Sequence, residues 1–235
     1  MRVFGLDPVS NPAEVLGRVG YLAEEDALPG WMTVEELQRY SAGFYPTWNQ
    51  DYADRLRTNF GLDRRTKLKT LSKGQRARAG LMTAMAFEPE LLVLDEPSSG
   101  LDPIVRRDIL GAVILTVADE GRTVLIYSHL LTEIERIAAR VAMIRGGEIL
   151  FCDDLEAIKQ AHQRATLRFT QPRNAAPRIN GAFLWEGTGT EWRALYGGPA
   201  SSLEAAAVLV GACVIELRTL SLDEIFVARS AKAEA

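Results

Sequence analysis

Apolar residues along this chain follow two spacings, and the switches between them mark out the elements. From Thr33 to Phe44 they recur at helical period behind Thr33 and Glu36, a Thr-x-x-Glu capping box. "FYPTWN" interrupts that helix. A second stripe of Tyr52, Leu56 and Phe60 predicts a helix over about Gln50–Phe60. Ser72 is placed to cap a third, which runs to about Phe87 and stops before Pro89. Then the texture changes to continuous apolar runs. "LLVLD" (Leu91–Asp95) and "RTVLIYS" (Arg122–Ser128) read as strands buried on both faces. Between them Pro103 opens a helix over about 103–119, ending at Gly121. A helix over about Leu131–Ala139, the strand "RVAMIR", a "GGE" hairpin turn and "ILFC" follow, with Asp153 and Glu156 placed to cap one more helix. At the amino end, Arg2–Gly5 reads as the tail of a strand. Asn11 and Pro12 read as the start of a short helix, followed by the apolar segment and acidic turn of Arg18–Trp31.

Alternating strands and helices predict an α/β fold with a largely parallel sheet. Beyond about Arg164 the pattern differs. "ATLRFTQ", "GAFLWEG" and "EWRALYG" are short strand candidates separated by Pro, Asn and Gly, and an Ala-rich helix (Leu203–Leu209) and "CVIELRT" follow. The expected division is residues 1–162 as one domain and 163–235 as a small α+β accessory domain. In the accessory part Trp185, Trp192 and Tyr196 suit a ligand surface or, as the preferred reading, aromatics packed in a small sheet.

Composition narrows the function classes. A net charge of -4 and a pI of about 5.4 provide no concentrated basic face, so no nucleic-acid partner is expected. No apolar run approaches the roughly 20 residues of a membrane helix, and no signal peptide is recognisable at the start. A cytoplasmic chain is expected. Cys152 and Cys213 lack metal spacing and read as packing residues, and His129 and His162 are too far apart in sequence to suggest a metal pair.

Candidate chemistry clusters between Leu71 and His129. A strand ending in Asp95 sets that carboxylate at the carboxyl edge of the sheet, where α/β folds bind ligands. Asp95 is suited to Mg2+, a hard cation that prefers oxygen, and Glu96 is placed to orient or deprotonate a water. By itself "DE" after a strand is equally a solvated acidic turn. Ser72, with Gly74 and Gln75, opens a helix whose free N–H groups and positive field suit a phosphate, though plain capping explains the Ser as well. Asp102 precedes a helix and can act as its N-cap. His129 follows a strand, where it can donate to a γ-phosphate or be satisfied locally as a helix-start residue.

Taken together and in this order, these motifs resemble the nucleotide-binding domain of ATP-binding cassette transporters over about residues 1–160. "LSKGQ" (Leu71–Gln75) is similar to the signature LSGGQ with Lys73 for its first Gly, "LLVLDEP" to Walker B, "SGLD" to the D-loop, and His129 to the switch histidine. "GYLAEED" is similar to the Q-loop region, with Glu24 where Gln is usual. That change keeps a Mg2+ contact but loses an amide donor. The stretch after Leu28 resembles the helical subdomain (about 31–88) of ABC-2-type exporters, and "LSLDEIFVA" resembles the usual end of such ATPases. The resemblance implies a P-loop NTPase-like ATPase core that uses ATP and Mg2+. It implies Glu96 and His129 as catalytic residues and Asp95 as metal ligand, with Ser72, Gly74, Gln75, Asp102 and Glu24 at the nucleotide. It also implies a second ATPase subunit, identical or different, paired head to tail, and a membrane permease, with the protein peripheral on the inner face of the cell membrane.

One expected motif is missing from these 235 residues: no Gly-Lys pair occurs, hence no G-x-x-x-x-G-K-[ST] loop. The expectation is an amino-terminally incomplete ATPase, inactive in isolation, that drives export when complete. The alternative is a non-catalytic pairing or regulatory subunit that lends its signature loop to a complete ATPase.

Overall fold

The computed structural model describes residues 1–25, 28–120 and 122–232. Gly121, the expected helix end, and part of the acidic turn before Trp31 therefore lie outside the described residues. The chain divides into two compact units, Met1–His129 and Leu130–Ala235. The division falls earlier than the change of texture near residue 162. Compactness groups the 140–154 hairpin with the tail, whereas texture separates them.

In the first unit a short helix α1 (Pro12–Leu16) leads into strand β1 (Val19–Leu22). Helices α2 (Val34–Ala42) and α3 (Gln50–Asn59) and a 3-10 turn at Leu68–Thr70 come next. Then follow α4 (Lys73–Met85), β2 (Leu91–Asp95), α5 (Pro103–Glu120) and β3 (Thr123–Tyr127). The strands form a parallel sheet in the order β1-β2-β3, with Leu22 beside Leu94 and Asp95 beside Tyr127. Local chemistry sets the helix starts. Thr33 and Glu36 form the reciprocal capping box foreseen for α2, Asn49 accepts from Tyr52 N at α3, and Ser72 and Gln75 form a second box at α4. Asn11 does not cap α1; its side-chain amide donates instead to Asp7 O.

The core of this unit joins Val34, Leu37, Leu68, Leu81, Met82, Leu92, Leu94 and Ile109. It lies on one face of the sheet only. Leu92 and Leu94 are buried, but on the other face Tyr21, Leu125 and Tyr127 are 56%, 58% and 62% exposed. The expectation of strands buried on both faces is corrected here: an unbroken apolar run satisfied the pattern, while the described residues cover a single face. Arg2–Gly5 is also not a strand. Phe4 and Gly5 both take positive φ (53° and 79°), and Val3 and Leu6 close a tight turn.

Helix α4 crosses β1 closely because glycines remove side chains at the crossing. A Cβ on Gly20 would stand 2.3 Å from Ala84 O, and one on Gly80 would stand 2.8 Å from Leu22 Cδ1. At its amino end, a Cβ on Gly74 would meet Val105 Cγ2 of α5 at 2.8 Å. Arg78 ties the same two helices through Asp108 at 2.6 Å.

The second unit contains α6 (Leu131–Ile137), β4 (Arg140–Arg145), β5 (Glu148–Asp154) and α7 (Leu155–Gln160). It continues with β6 (Gln163–Arg173), β7 (Ala182–Tyr196), α8 (Ala200–Leu209), β8 (Ala212–Thr219) and α9 (Leu222–Lys232). β4 and β5 form an antiparallel hairpin, and β7-β6-β8 form an antiparallel sheet. Two strands expected separately, "GAFLWEG" and "EWRALYG", are one long β7, because positive φ at Gly187 and Gly189 bends the strand without ending it. Asp153 does not cap α7. Its carboxylate accepts from Asp154 N, one residue too early. Trp192 and Tyr196 are buried against Leu167 and Leu203, and Trp185 packs on the same cluster. Cys152 and Cys213 are both exposed, contrary to the packing role expected of them. Ser221 and Glu224 form a third reciprocal capping box, at α9. Arg218 grips the Glu224 carboxylate at 2.9 and 2.6 Å.

Two stability predictions follow from these contacts. Gly20→Val is expected to remove roughly 2–4 kcal/mol in urea melts, because the clash is with backbone at Ala84 and not with a movable side chain. Glu224 is held at a pKa of about 2, mainly by its hydrogen bonds from Arg218. Because that value lies below the unfolded one, its stabilisation is complete above pH about 4.5 and is lost as pH falls toward 2. Glu224→Gln should cost about 1–2 kcal/mol at pH 7, after allowance for solvent screening, and flatten the melting curve's pH dependence in that acid window.

Candidate functional site

The carboxyl ends of β2 and β3 lie side by side, and the chain turns sharply as it leaves β2. Glu96 donates its backbone N–H to Tyr127 O at 2.9 Å, which extends the β2–β3 pairing one residue past Asp95. Its φ of 47° is left-handed, a conformation that costs a non-glycine residue about 1 kcal/mol or more. The turn carries the Glu96 side chain into a buried position, 5% exposed. Glu96 Oε1 accepts from His129 N at 2.9 Å and lies 2.7 Å from His129 Nδ1, and Ser128 Oγ donates to Oε2 at 3.4 Å. A buried carboxylate needs such partners, and here all come from the exit of β3. Facing a carboxylate, His129 Nδ1 carries the hydrogen, and the imidazole remains 65% exposed.

Asp95 is the last residue of β2 and is half-buried. Its Oδ2 accepts from Tyr21 OH of β1 at 3.2 Å. Partial desolvation and this hydrogen bond raise the Tyr21 pKa above its ordinary value, so the phenol stays a donor at neutral pH. Tyr21 was not singled out in the sequence. Nothing local to Tyr21 marks it, because the pairing that sets β1 beside β2 is tertiary.

The turn after Glu96 is closed by Ser99 N to Glu96 O and Leu101 N to Ser98 O. Asp102 caps α5, its Oδ1 accepting from Ile104 N and Val105 N at 3.0 and 3.1 Å. Ser72 and Gln75 are engaged in the α4 capping box: Ser72 Oγ accepts from Gln75 N at 3.2 Å and Gln75 Oε1 from Ser72 N at 3.0 Å. Gly74 is buried against Val105. Lys73 Nζ lies over Gly100, 2.6 Å from where that residue's Cβ would be, so the start of α4 and the 96–102 turn adjoin. Glu24 stands exposed in a bend after β1.

Asp95, Glu96 and His129 therefore gather at one sheet edge, while Ser72, Gly74, Gln75 and Asp102 occupy helix starts around the neighbouring turn. The donor set suits Mg2+ better than zinc. Asp95 offers a hard carboxylate oxygen, and no group of three or more His, Cys, Asp or Glu able to hold a metal occurs among the described residues. Most of a coordination shell would fall to water and phosphate oxygens, as Mg2+ prefers.

Comparison with known proteins identifies the family. Residues 6–99 match the family described as "ABC transporter". The chain is 27% identical over 227 residues to the ABC transporter ATP-binding protein YtrB of Bacillus subtilis, covering 96% of itself and 77% of YtrB. It is 30% identical over 247 residues to the daunorubicin/doxorubicin resistance ATP-binding protein DrrA of Streptomyces peucetius, covering 97% of itself and 74% of DrrA. Other relatives are matched over less than half their length. Among solved structures, the ATP-binding subunit of an ABC transporter superposes with a TM-score of 0.60 at 25% identity, over 67% of this chain and 68% of that one. With the motifs in register and the sheet edge assembled as they require, the chain belongs to the ABC transporter family, as one of its ATP-binding subunits.

Proposed function

We propose that this subunit couples ATP hydrolysis to export through a membrane permease. It pairs head to tail with a second ATPase subunit and is peripheral on the inner face of the cell membrane. The observation that carries the reading is the Glu96–His129 pair: a buried carboxylate at the exit of β2 held by an exposed histidine at the exit of β3. Glu96 orients the attacking water and receives its proton. His129, anchored through Nδ1, presents Nε2 toward the γ-phosphate. Asp95 holds Mg2+, steadied by Tyr21; the ion, when bound, neutralises charge on the phosphate oxygens. Glu24, after β1, would offer the ion a further carboxylate oxygen. Ser72, Gly74 and Gln75 present the start of α4 to the nucleotide of the opposite subunit, where free N–H groups and the helix dipole favour phosphate. Asp102 stiffens the turn that lies at the seam between subunits. No helix among the described residues is long and apolar enough to cross a membrane, which fits a separate permease.

A second reading, a pairing subunit that lends its signature loop and hydrolyses nothing itself, is favoured by one observation: residues 1–235 contain no G-x-x-x-x-G-K-[ST] loop.

The two readings separate by mutation of the protein purified with its membrane partner from its own cells, with phosphate release as the readout. Under the catalytic reading Glu96→Gln lowers turnover roughly 10²–10⁴-fold and leaves ATP bound, and Gly74→Asp also lowers it by crowding Val105 and the phosphate. Under the pairing reading only Gly74→Asp has an effect. Full activity in both variants would defeat both readings.

A further inference from the structure

The second unit carries a buried histidine that no step above uses. His162 is 3% exposed, between α7 and β6, and both of its ring nitrogens are engaged. Nδ1 lies 2.7 Å from Ile158 O. A carbonyl only accepts, so Nδ1 carries the hydrogen. Nε2 receives the Nε–H of Arg229, from α9, at 2.7 Å. An arginine only donates and stays charged, so Nε2 must be bare. The two contacts together fix one neutral tautomer.

Aromatic side chains flank that tautomer. Phe151 of β5 and Phe183 of β7 flank the ring, with centroids at 6.2 and 6.5 Å. Leu220 N donates to the His162 backbone carbonyl. Of the charged groups on the packed elements, Arg229 faces the ring. Lys159 of α7 is engaged with Glu135 of α6 at 2.7 Å, and Glu135 also accepts from Leu222 N at the start of α9. Glu224 is gripped by Arg218. Thus α9 is fastened at its start by Glu135 and Glu224, and further along by Arg229 on His162.

We propose that His162 is an acid-sensitive latch on the last helix: a proton added at Nε2 sets N–H against N–H and releases Arg229, freeing the carboxyl-terminal half of α9 while its start stays fastened. Burial, and then the Arg229 charge, hold the His162 pKa below 6.5. The latch is therefore closed at neutral pH. Stability of this part is full above pH about 6.5 and falls as pH drops through the lower folded-state value. The latch involves no nucleotide and is independent of the function proposed above.

The test is nuclear magnetic resonance on the full chain, which has two histidines. At pH 7.5 the His162 ring should show hydrogen on Nδ1 and none on Nε2, with a titration midpoint below 6.5. Through that midpoint, and reversibly, amide protection factors, referred to the intrinsic exchange rate at each pH, should fall about 10-fold in the second half of α9 and stay unchanged at residues 222–224. Arg229→Met keeps the aliphatic stem and removes the donor and charge. It should raise the midpoint and expose the end of α9 to exchange already at pH 7.5. An Nε2-protonated ring at pH 7.5, unchanged α9 protection across the midpoint, or a wild-type midpoint in Arg229→Met would each overturn the proposal.

Discussion

The residue on which the first unit's site depends is Glu96, and the constraint on it is geometric. The left-handed backbone at Glu96 turns the chain out of the strand directly after Asp95, and the hydrogen bond to Tyr127 O holds the turn in place. The carboxylate then lies inward, where it can exist only if donors meet it. Ser128 and His129 supply them because β3 runs parallel to β2 in a register whose last pair is Asp95 and Tyr127, so the two strands leave the sheet side by side. Register and strained turn therefore specify each other: a shift of β3 by one residue would leave a buried charge without partners, a loss larger than the strain itself.

The helical half of the unit reaches the same turn through close packing. Gly20 and Gly80 let α4 approach β1, and Gly74 lets its first turn approach Val105 of α5. The start of α4 is thereby fixed beside the 96–102 turn. The capping boxes decide where the helices begin, and the missing Cβ atoms decide how near they come. These are separate uses of sequence, one local and one tertiary, and the site requires both.

The second unit works differently. Its elements are joined by ionic and hydrogen-bonded fasteners that converge on α9 from α6, from β8 and from the α7–β6 junction. Such fasteners are directional and depend on protonation, whereas the apolar cluster of Val141, Leu155, Leu220 and Ile225 beneath them does not. Protonation therefore acts on these fasteners and not directly on the apolar cluster.

The sequence by itself determined the starts of α2 and α4 and the succession of β2, α5 and β3 along the chain. Ser72–Gln75 and Thr33–Glu36 are short-range chemistry, complete within four residues. It also marked Asp95, Glu96 and His129 as candidates, since each stands where an apolar run stops. Only the tertiary structure decided that Glu96 is bound by His129, that Tyr21 reaches Asp95, and that His162 meets Arg229 across 67 residues. It also decided that the sheet is covered on one face among the described residues and that the cysteines are exposed. The physical reason is the same throughout. Periodicity and capping report what a residue does to its own backbone, but burial and hydrogen-bond partners are set by register and packing between segments far apart in the chain.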